Sequence, residues 1–427
     1  LFDELSAQVS LRVDLSAQYG IDLRSKSDAQ IAEAVIKSEL TKITNKQYYR
    51  PRNIPKSFNY KNPAIIKFKT KALNGIFQRL IAENFTLREN GSVMTPIWLS
   101  ALRVGIRGGT YQMGIGGLHS CEKKQHVVKT ANTTLCELDV VSYYPEIIIQ
   151  QKLSPANLGE YFLDVYASIV KRRVKAKLSG DKVTADTLKI VVNGSFGKFG
   201  SKWSALYAPE LLIQTTITGQ LALLMLIERL EIANITVVSA NTDGIVCHFA
   251  TDRTVEFKAI YSQWEVETAY TLEQTDYLQV ASRDVNNYLA VKTDGSTKGK
   301  GIFAPKALGK SPEFRIVYDA VEALMCDGTP LRETINQCND ITKFVAVRSV
   351  KGGALWRGQL LGKAVRYYYS KDILADEAIR YKTNGNKVPK SDGGRPLMDL
   401  PDRFPNDVDL DKYELISKEL LGLIGYA

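Results

Sequence analysis

Histidine is the scarcest source of chemistry in this 427-residue chain, with only His119, His126 and His248. The five cysteines (Cys121, Cys136, Cys247, Cys326, Cys338) form no CxxC pair and do not stand at zinc-finger distances from those histidines. That spacing offers no zinc-finger pattern and leaves reduced, mostly buried thiols as the expectation. No window approaches the roughly 18 uninterrupted apolar residues of a membrane span, and the N-terminus lacks the basic, apolar, small-residue order of a signal peptide. No membrane partner is therefore expected, and the cytoplasm is the expected location. Internal repeats and low-complexity tracts are also missing. The chain opens on LFDEL with no methionine, which suggests a fragment or a processed product.

Negative charge is missing from one long segment. Between Lys42 and Ala82 there are ten Lys or Arg and no Asp or Glu, interleaved with Tyr48, Tyr49, Phe58, Tyr60 and Phe68. Cationic side chains neutralise phosphates and release counterions, while aromatic faces accept unstacked bases, so the composition suits a nucleic acid. A solvated basic loop, helped by Pro51, Pro55 and Pro63, has the same composition. The formal charge of +10 points to a polyanionic partner as well, but carries no information about fold.

Hydrophobic residues make up 44% and charged residues 24%, ordinary for a globular chain long enough for two or three domains. A capping box, Ser27 to Gln30, opens a helix over 25 to 40. Six glycines in residues 104 to 120 predict hairpins or a close backbone approach. LCELDVV, 135 to 141, reads as a buried strand that Pro145 prevents from simply continuing. Helices follow from about 158 to 177 and on to about 193, separated by a polar turn, and a long amphipathic helix covers 211 to 231. ITVVSA and GIVCHF then form a strand pair. Strands and helices in mixed order, without βα alternation, predict an α+β fold.

Three segments could carry chemistry. Asp139 ends a hydrophobic strand, where an ionised carboxylate must reach water or bind a cation. Arg173 and Lys177, like Lys189 and Asn193, are four residues apart and share a helix face, giving either a cationic clamp for a triphosphate or two solvated faces. Asp243 lies in SANTDGIVCHF, where Asp-Gly signals a tight hairpin with glycine supplying the positive φ. A hairpin tip is also where a metal ligand could stand. Glu137, two residues before Asp139, shares its strand face and could assist.

In this order the segments resemble motifs A, B and C of family B DNA polymerases, more closely those of bacteriophage type. Asp139-Val-Val-Ser142-Tyr143-Tyr144-Pro145 is similar to DxxSLYP. Lys189-Ile-Val-Val-Asn193-Gly194-Ser195-Phe196-Gly197 is similar to KxxxNSxYG, with Gly194 for serine and Phe196 for tyrosine. Ser239-Ala-Asn241-Thr242-Asp243-Gly244 is similar to YxDTDS, with Asn241 replacing the first aspartate. Gly116-Gly117 looks like the YxGG element, Arg172 to Lys177 like the fingers helix, and Asn287-Tyr288 with Lys298 to Gly301 like a later palm segment. The likeness covers residues 100 to 305 in detail and the C-terminal part more loosely.

The resemblance implies a right-hand architecture whose palm is built on an antiparallel sheet. Its parts would be an N-terminal helical and basic segment (1 to 100), palm (101 to 157), fingers (158 to 198), palm again (199 to 308) and thumb (309 to 427). The implied activity is template-directed DNA polymerisation with two Mg²⁺ ions, for which Mn²⁺ can substitute, in phage or mobile-element replication; the location is then the host cytoplasm. Asp139 and Asp243 would be the catalytic metal ligands, joined by the Val140 carbonyl. Ser142, Tyr143, Tyr144, Arg173, Lys177, Lys189 and Asn193 would bind the dNTP. Within that set Ser142 and Tyr143 offer backbone or hydroxyl contacts, and Tyr144 excludes a 2′-hydroxyl. Gly116, Gly117, Gly197, Thr242, Tyr288, Lys298 and Lys300 would contact primer–template DNA. Other replication proteins are expected partners. An upstream proofreading exonuclease is common in the family, and no acidic constellation for one stands before residue 100. The rival expectations are a catalytically silent polymerase-like DNA-binding protein and an enzyme that adds ribonucleotides or copies RNA.

Overall fold

A computed structural model describes residues 2 to 304 and 311 to 426, which fall into two compact units: Leu1–Glu122 with Thr130–Thr275, and Lys123–Lys129 with Asp276–Ala427. The expected boundary at 308/309 lies outside the described residues. Every strand pairing described below is antiparallel, in keeping with an α+β fold.

The first unit is organised around the helix Pro209–Ile232. Its window of mean hydropathy 1.5 would suit a bilayer by length and composition, yet 83% of that window is buried inside the protein. The amphipathic helix expected here is therefore corrected to a core helix buried on nearly every side. Most of its polar residues are buried too, and Gln214, Thr218 and Glu228 among them are matched to backbone groups or a hydroxyl, as desolvated polar groups require. Gln214 holds both the amide and the carbonyl of Lys61. Thr218 shares a hydrogen bond with the Tyr60 hydroxyl. Glu228 accepts from the amides of Lys69 and Thr70 at 2.8 and 2.7 Å.

These contacts explain what became of the basic segment. All ten of its Lys and Arg side chains are exposed. Its aromatics mostly are not: Tyr48 and Tyr60 are buried, and Phe58 and Phe68 pack against the core. Burying a ring stabilises the fold by more than an exposed face would. Tyr49, 73% exposed, is the one of the five that keeps an open ring.

The sheet of this unit runs, in neighbour order, Val104–Ile106, Gly109–Gln112, His119–Ser120, Thr236–Asn241, Gly244–Ala250, Thr133–Val140. Val104–Ile106 and Gly109–Gln112 form one of the hairpins expected of the glycine-rich stretch. Cys136 faces Cys247 across the central pair, both buried and reduced, while Cys121 is exposed and Cys326 and Cys338 are half-buried. The expectation of mostly buried thiols thus holds for two of the five.

On the helical side, Asp28–Thr44 begins where the capping box predicts, with the Ser27 amide donating to Gln30 Oε1, and runs four residues further, ending on Asn45 in the left-handed region. Helices Tyr161–Leu178 and Lys182–Lys198 follow, the second capped by the Asp181 side chain on the Thr184 amide. Gly194 has a packing reason: a Cβ there would lie 2.8 Å from Ala32 Cβ and 3.1 Å from the Asp28 carbonyl. The helix Asp28–Thr44 occupies the space a serine would need.

In the second unit the hairpin Asn287–Lys292 and Thr297–Lys300 pairs Tyr288 with Lys300 and Ala290 with Lys298. Gln125–Val128 pairs with Gln279 to Ser282. The long strands Ala346–Trp356 and Gln359–Tyr369, with the helices Arg315–Asp327 and Leu410–Leu423, enclose a core rich in rings, among them Phe314, Phe344, Tyr367, Tyr369 and Tyr413.

Removing the carboxylate in Glu228→Ala leaves two amides without their acceptor, which costs about 2–4 kcal/mol. Urea unfolding should show that loss, with a smaller one for Glu228→Gln. A change under about 0.5 kcal/mol would contradict the anchoring role.

Candidate active site

Residue pairing between Thr133–Val140 and Gly244–Ala250 sets Asp139 directly opposite Gly244. The Val140 amide donates to the Asp243 carbonyl at 2.8 Å, which closes the end of the ladder. Two aspartates more than a hundred residues apart in sequence thus meet at one strand end, Asp139 half-buried and Asp243 exposed. The helix Tyr143–Gln150 starts three residues after Val140, with Pro145 in its first turn where a missing amide is tolerated.

The turn between the strands differs from the expected one. Gly244 is the first residue of its strand and has no positive φ; the left-handed residue is Thr242, at φ 63°. The Asp243 amide donates to the Asn241 carbonyl at 2.7 Å, so the reversal is a γ-turn centred on threonine. Glycine is required at 244 for a different reason. A Cβ there would lie 2.0 Å from Asp139 Oδ1, so the carboxylate occupies the space of the missing side chain.

Thr242 is held from outside the hairpin. Its amide donates to the Leu118 carbonyl at 2.7 Å, its hydroxyl donates to Asn241 Oδ1, and a Cβ on Gly117 would lie 2.5 Å from that hydroxyl. Gly116 and Gly117 therefore lie in the loop beside the Asp243 turn, and the loop itself is clamped by Gln220. That buried side chain accepts from the Gly114 amide and donates to the carbonyls of Gly114 and Gly116.

A second left-handed residue, Ser142 at φ 51°, ends the Asp139 segment. Non-glycine residues in this region cost free energy unless their surroundings hold them, and such strain often collects at functional sites. Arg173 reaches across from helix Tyr161–Leu178 and donates to Ser142 Oγ at 2.8 Å. Lys177, one turn on, pairs with Glu273 at 2.7 Å, both groups being more than half exposed. An exposed pair of this kind is weak and readily exchanged for a polyanion. Lys189, Asn193 and Gly197 are exposed on helix Lys182–Lys198.

Tyr143 and Tyr144 have separated roles. Tyr143 is buried and its hydroxyl donates to the Gly219 carbonyl, so the expectation of a hydroxyl contact from Tyr143 to a triphosphate is corrected; a backbone contact remains. Tyr144 is half-buried and stacks on Phe196 with ring centroids 4.3 Å apart. Burial, and after it the negative charge of Asp243, push its hydroxyl up to about 12, so it stays protonated at neutral pH. Glu137 is buried opposite Val246 and, among the described residues, no group of three or more His, Cys, Asp or Glu is placed to hold a metal ion.

Tyr288, Lys298 and Lys300 belong to the second unit, on one hairpin, while the remaining predicted site residues belong to the first. Sequence reading missed Gln220, Phe196 as the support of Tyr144, and Glu273. A glutamine inside an apolar helix was the available signal for the first.

Asp139 and Asp243 bring two carboxylates, hard oxygen donors, to one strand end, beside a glycine that leaves room for one of them. Mg²⁺ is bound in this manner, by one or two carboxylates with substrate phosphates and water completing its shell. The residues present therefore fit a divalent cation.

Comparisons with known proteins find likenesses to DNA polymerases. No protein-family profile matches the chain. It is 25% identical to DNA polymerase 1 of Sulfolobus acidocaldarius over 132 residues, 31% of this chain and 15% of that protein. It is also 25% identical to DNA polymerase 1 of Saccharolobus solfataricus over 192 residues, 42% and 20% of the two chains. The structure of the family B DNA polymerase from the hyperthermophilic archaeon Pyrobaculum calidifontis superposes with TM-score 0.52 at 13% identity, over 99% of this chain and 54% of that one. The chain is thus similar in fold to a family B DNA polymerase. It spans about half the length of that structure, and its matches cover a fifth or less of the curated relatives.

Gly244→Ala should leave stability within about 1 kcal/mol of the parent, because the atom in the way ends a rotatable side chain, but it must move the Asp139 carboxylate. Mn²⁺ binding, read by paramagnetic relaxation of water protons, should weaken. Unchanged Mn²⁺ affinity in a folded variant would contradict the arrangement.

Proposed function

We propose that the chain is a DNA-directed DNA polymerase that adds deoxynucleotides to a primer 3′ end. The observation that supports this reading most directly is the register that sets Asp139 beside Asp243 at one strand end. Ser142, to which Arg173 donates, and Tyr144 follow Asp139 on the same segment. Bound at the carboxylates, two Mg²⁺ ions would stabilise the attacking and leaving oxygens of the transfer.

The chain's own residues supply the rest. Asp139 and Asp243, with the Val140 carbonyl, hold the charge that the cations neutralise. Arg173, Lys177 and Lys189 attract the triphosphate, with Arg173 turning from Ser142 and Lys177 from Glu273 as phosphate oxygens arrive. Asn193 lies one helical turn beyond Lys189, on the side of the new pair. Tyr144, braced by Phe196, presents a ring under the sugar and crowds a 2′-hydroxyl. Gly116, Gly117, Gly197 and Thr242, together with Tyr288, Lys298 and Lys300, contact primer–template backbone; the template supplies sequence information. Palm, fingers and thumb are assigned to residues as the family resemblance implies, with replication of a phage or mobile element as the setting.

Asn241 supports the alternative of a silent DNA-binding protein, since one family carboxylate is absent. Primer extension with Mg²⁺ decides between them. Wild-type protein should extend a primer, and Asp139→Asn or Asp243→Asn should lower the rate by about a thousandfold or more, the equivalent of several kcal/mol of charge stabilisation, with primer–template affinity little changed. No extension by folded wild-type protein contradicts the proposal. For the sugar, Tyr144→Ala should raise the rNTP-to-dNTP incorporation ratio at least about tenfold. An unchanged ratio removes Tyr144 from sugar selection.

A further inference from the structure

A cavity within the first unit is lined by none of the residues assigned above to the cation or the nucleotide. This cavity of about 870 Å³ is lined by Lys37, Arg50, Arg52, Lys202, Tyr49 and Trp203, among others. Trp203 is 71% exposed, an unusual position for so large an apolar side chain, and Tyr49 is 73% exposed. Arg50 and Lys202 both rest 5.1 Å from the centre of the Trp203 ring.

The walls are tied together as a built site. Glu33, the acidic residue of the lining, is already engaged: it accepts from the Ala205 amide at 2.9 Å and from the Ser204 hydroxyl at 2.8 Å, and it pairs with Lys198. It thereby fixes the loop carrying Trp203 to the helix Asp28–Thr44. Asn157 donates to the carbonyls of both Tyr49 and Ala205, joining the two aromatic walls. Gly91 closes a third side, with the Tyr207 hydroxyl donating to its carbonyl at 2.6 Å; a Cβ there would meet Lys202 Cβ at 2.8 Å.

We propose that this cavity binds unpaired nucleic acid, a base stacking on Trp203 while Arg50, Arg52 and Lys202 hold the flanking phosphates. Exposed aromatic faces beside cations are what a sequence-tolerant single-strand site requires. In the free protein the two cations rest against the ring. A phosphate is a stronger partner for each, and their departure opens the ring face to a base. This assignment absorbs the part of the basic segment in which an aromatic ring stayed exposed, and it rests on the reading of the chain as one that handles DNA strands.

The test uses the full chain titrated with oligothymidylate, reading intrinsic fluorescence with the Trp203→Phe protein subtracted so that this ring alone reports. A saturable quench of the Trp203 component is expected. The double variant Arg50→Gln/Lys202→Gln should reduce the slope of log affinity against log salt by about 1.4, or about 0.7 per lost phosphate contact. Trp203→Ala should weaken oligothymidylate binding measured at this site by competition about tenfold. Heparin, a polyanion without bases, should give no comparable quench. Absence of a Trp203 quench, or an equal quench by heparin, overturns the proposal. Extension of a short primer–template by the same variants should stay at the wild-type rate. Quenching without any extension would instead refute the polymerase reading and leave this site standing.

Discussion

A slip of one residue between Thr133–Val140 and Gly244–Ala250 would send Asp139 to the opposite face of its sheet, since side chains alternate along a strand. The register that prevents it is set by burial on both sides. Leu135, Cys136 and Leu138 on one strand, and Ile245, Cys247 and Phe249 on the other, are desolvated in their present places. The core thus positions the carboxylates, and Gly244 leaves the volume that one of them occupies. The neighbouring parts of the site depend on this pairing: the γ-turn at Thr242, its tie to Leu118, and the glycine loop clamped by Gln220.

Helix Pro209–Ile232 is the second constraint. A buried helix with so many polar residues is stable when those residues find partners, and for Gln214, Gln220 and Glu228 the partners are the backbone of neighbouring loops. Gln214 and Glu228 hold the basic segment while its ten cations face water; Gln220 holds the loop beside Thr242. One element thereby joins a candidate DNA-contacting surface to a candidate catalytic end. Asn241 fits the same logic. Its side-chain oxygen accepts from the Thr242 hydroxyl and supports the positive φ of the turn, so the amide has a local structural use where the family has a carboxylate.

Much of the candidate site could be proposed from the sequence because the chemistry it suits requires particular residue types at short spacings. Asp139 with Ser142 and Tyr144, or Lys189 with Asn193, can be recognised inside a single element. The capping box at Ser27 was legible for the same reason. What stayed hidden depends on partners distant in sequence. Nothing near Tyr143 shows that its hydroxyl ends on Gly219, and nothing near Gly244 shows that its freedom is needed for Asp139 and not for the turn. The aromatics of the basic segment misled in the same way: Tyr60 and Tyr49 look alike until Thr218 and the core claim one of them.

The central claim is that Asp139 and Asp243 act as one unit upon divalent cations. A double-mutant cycle on primer-extension rate tests it most directly, with Asp139→Asn, Asp243→Asn and the double variant compared with wild type. Groups that work as a unit give non-additive losses, so the double variant should be no slower than the slower single variant. Losses that multiply, as for two independent residues, would contradict the account.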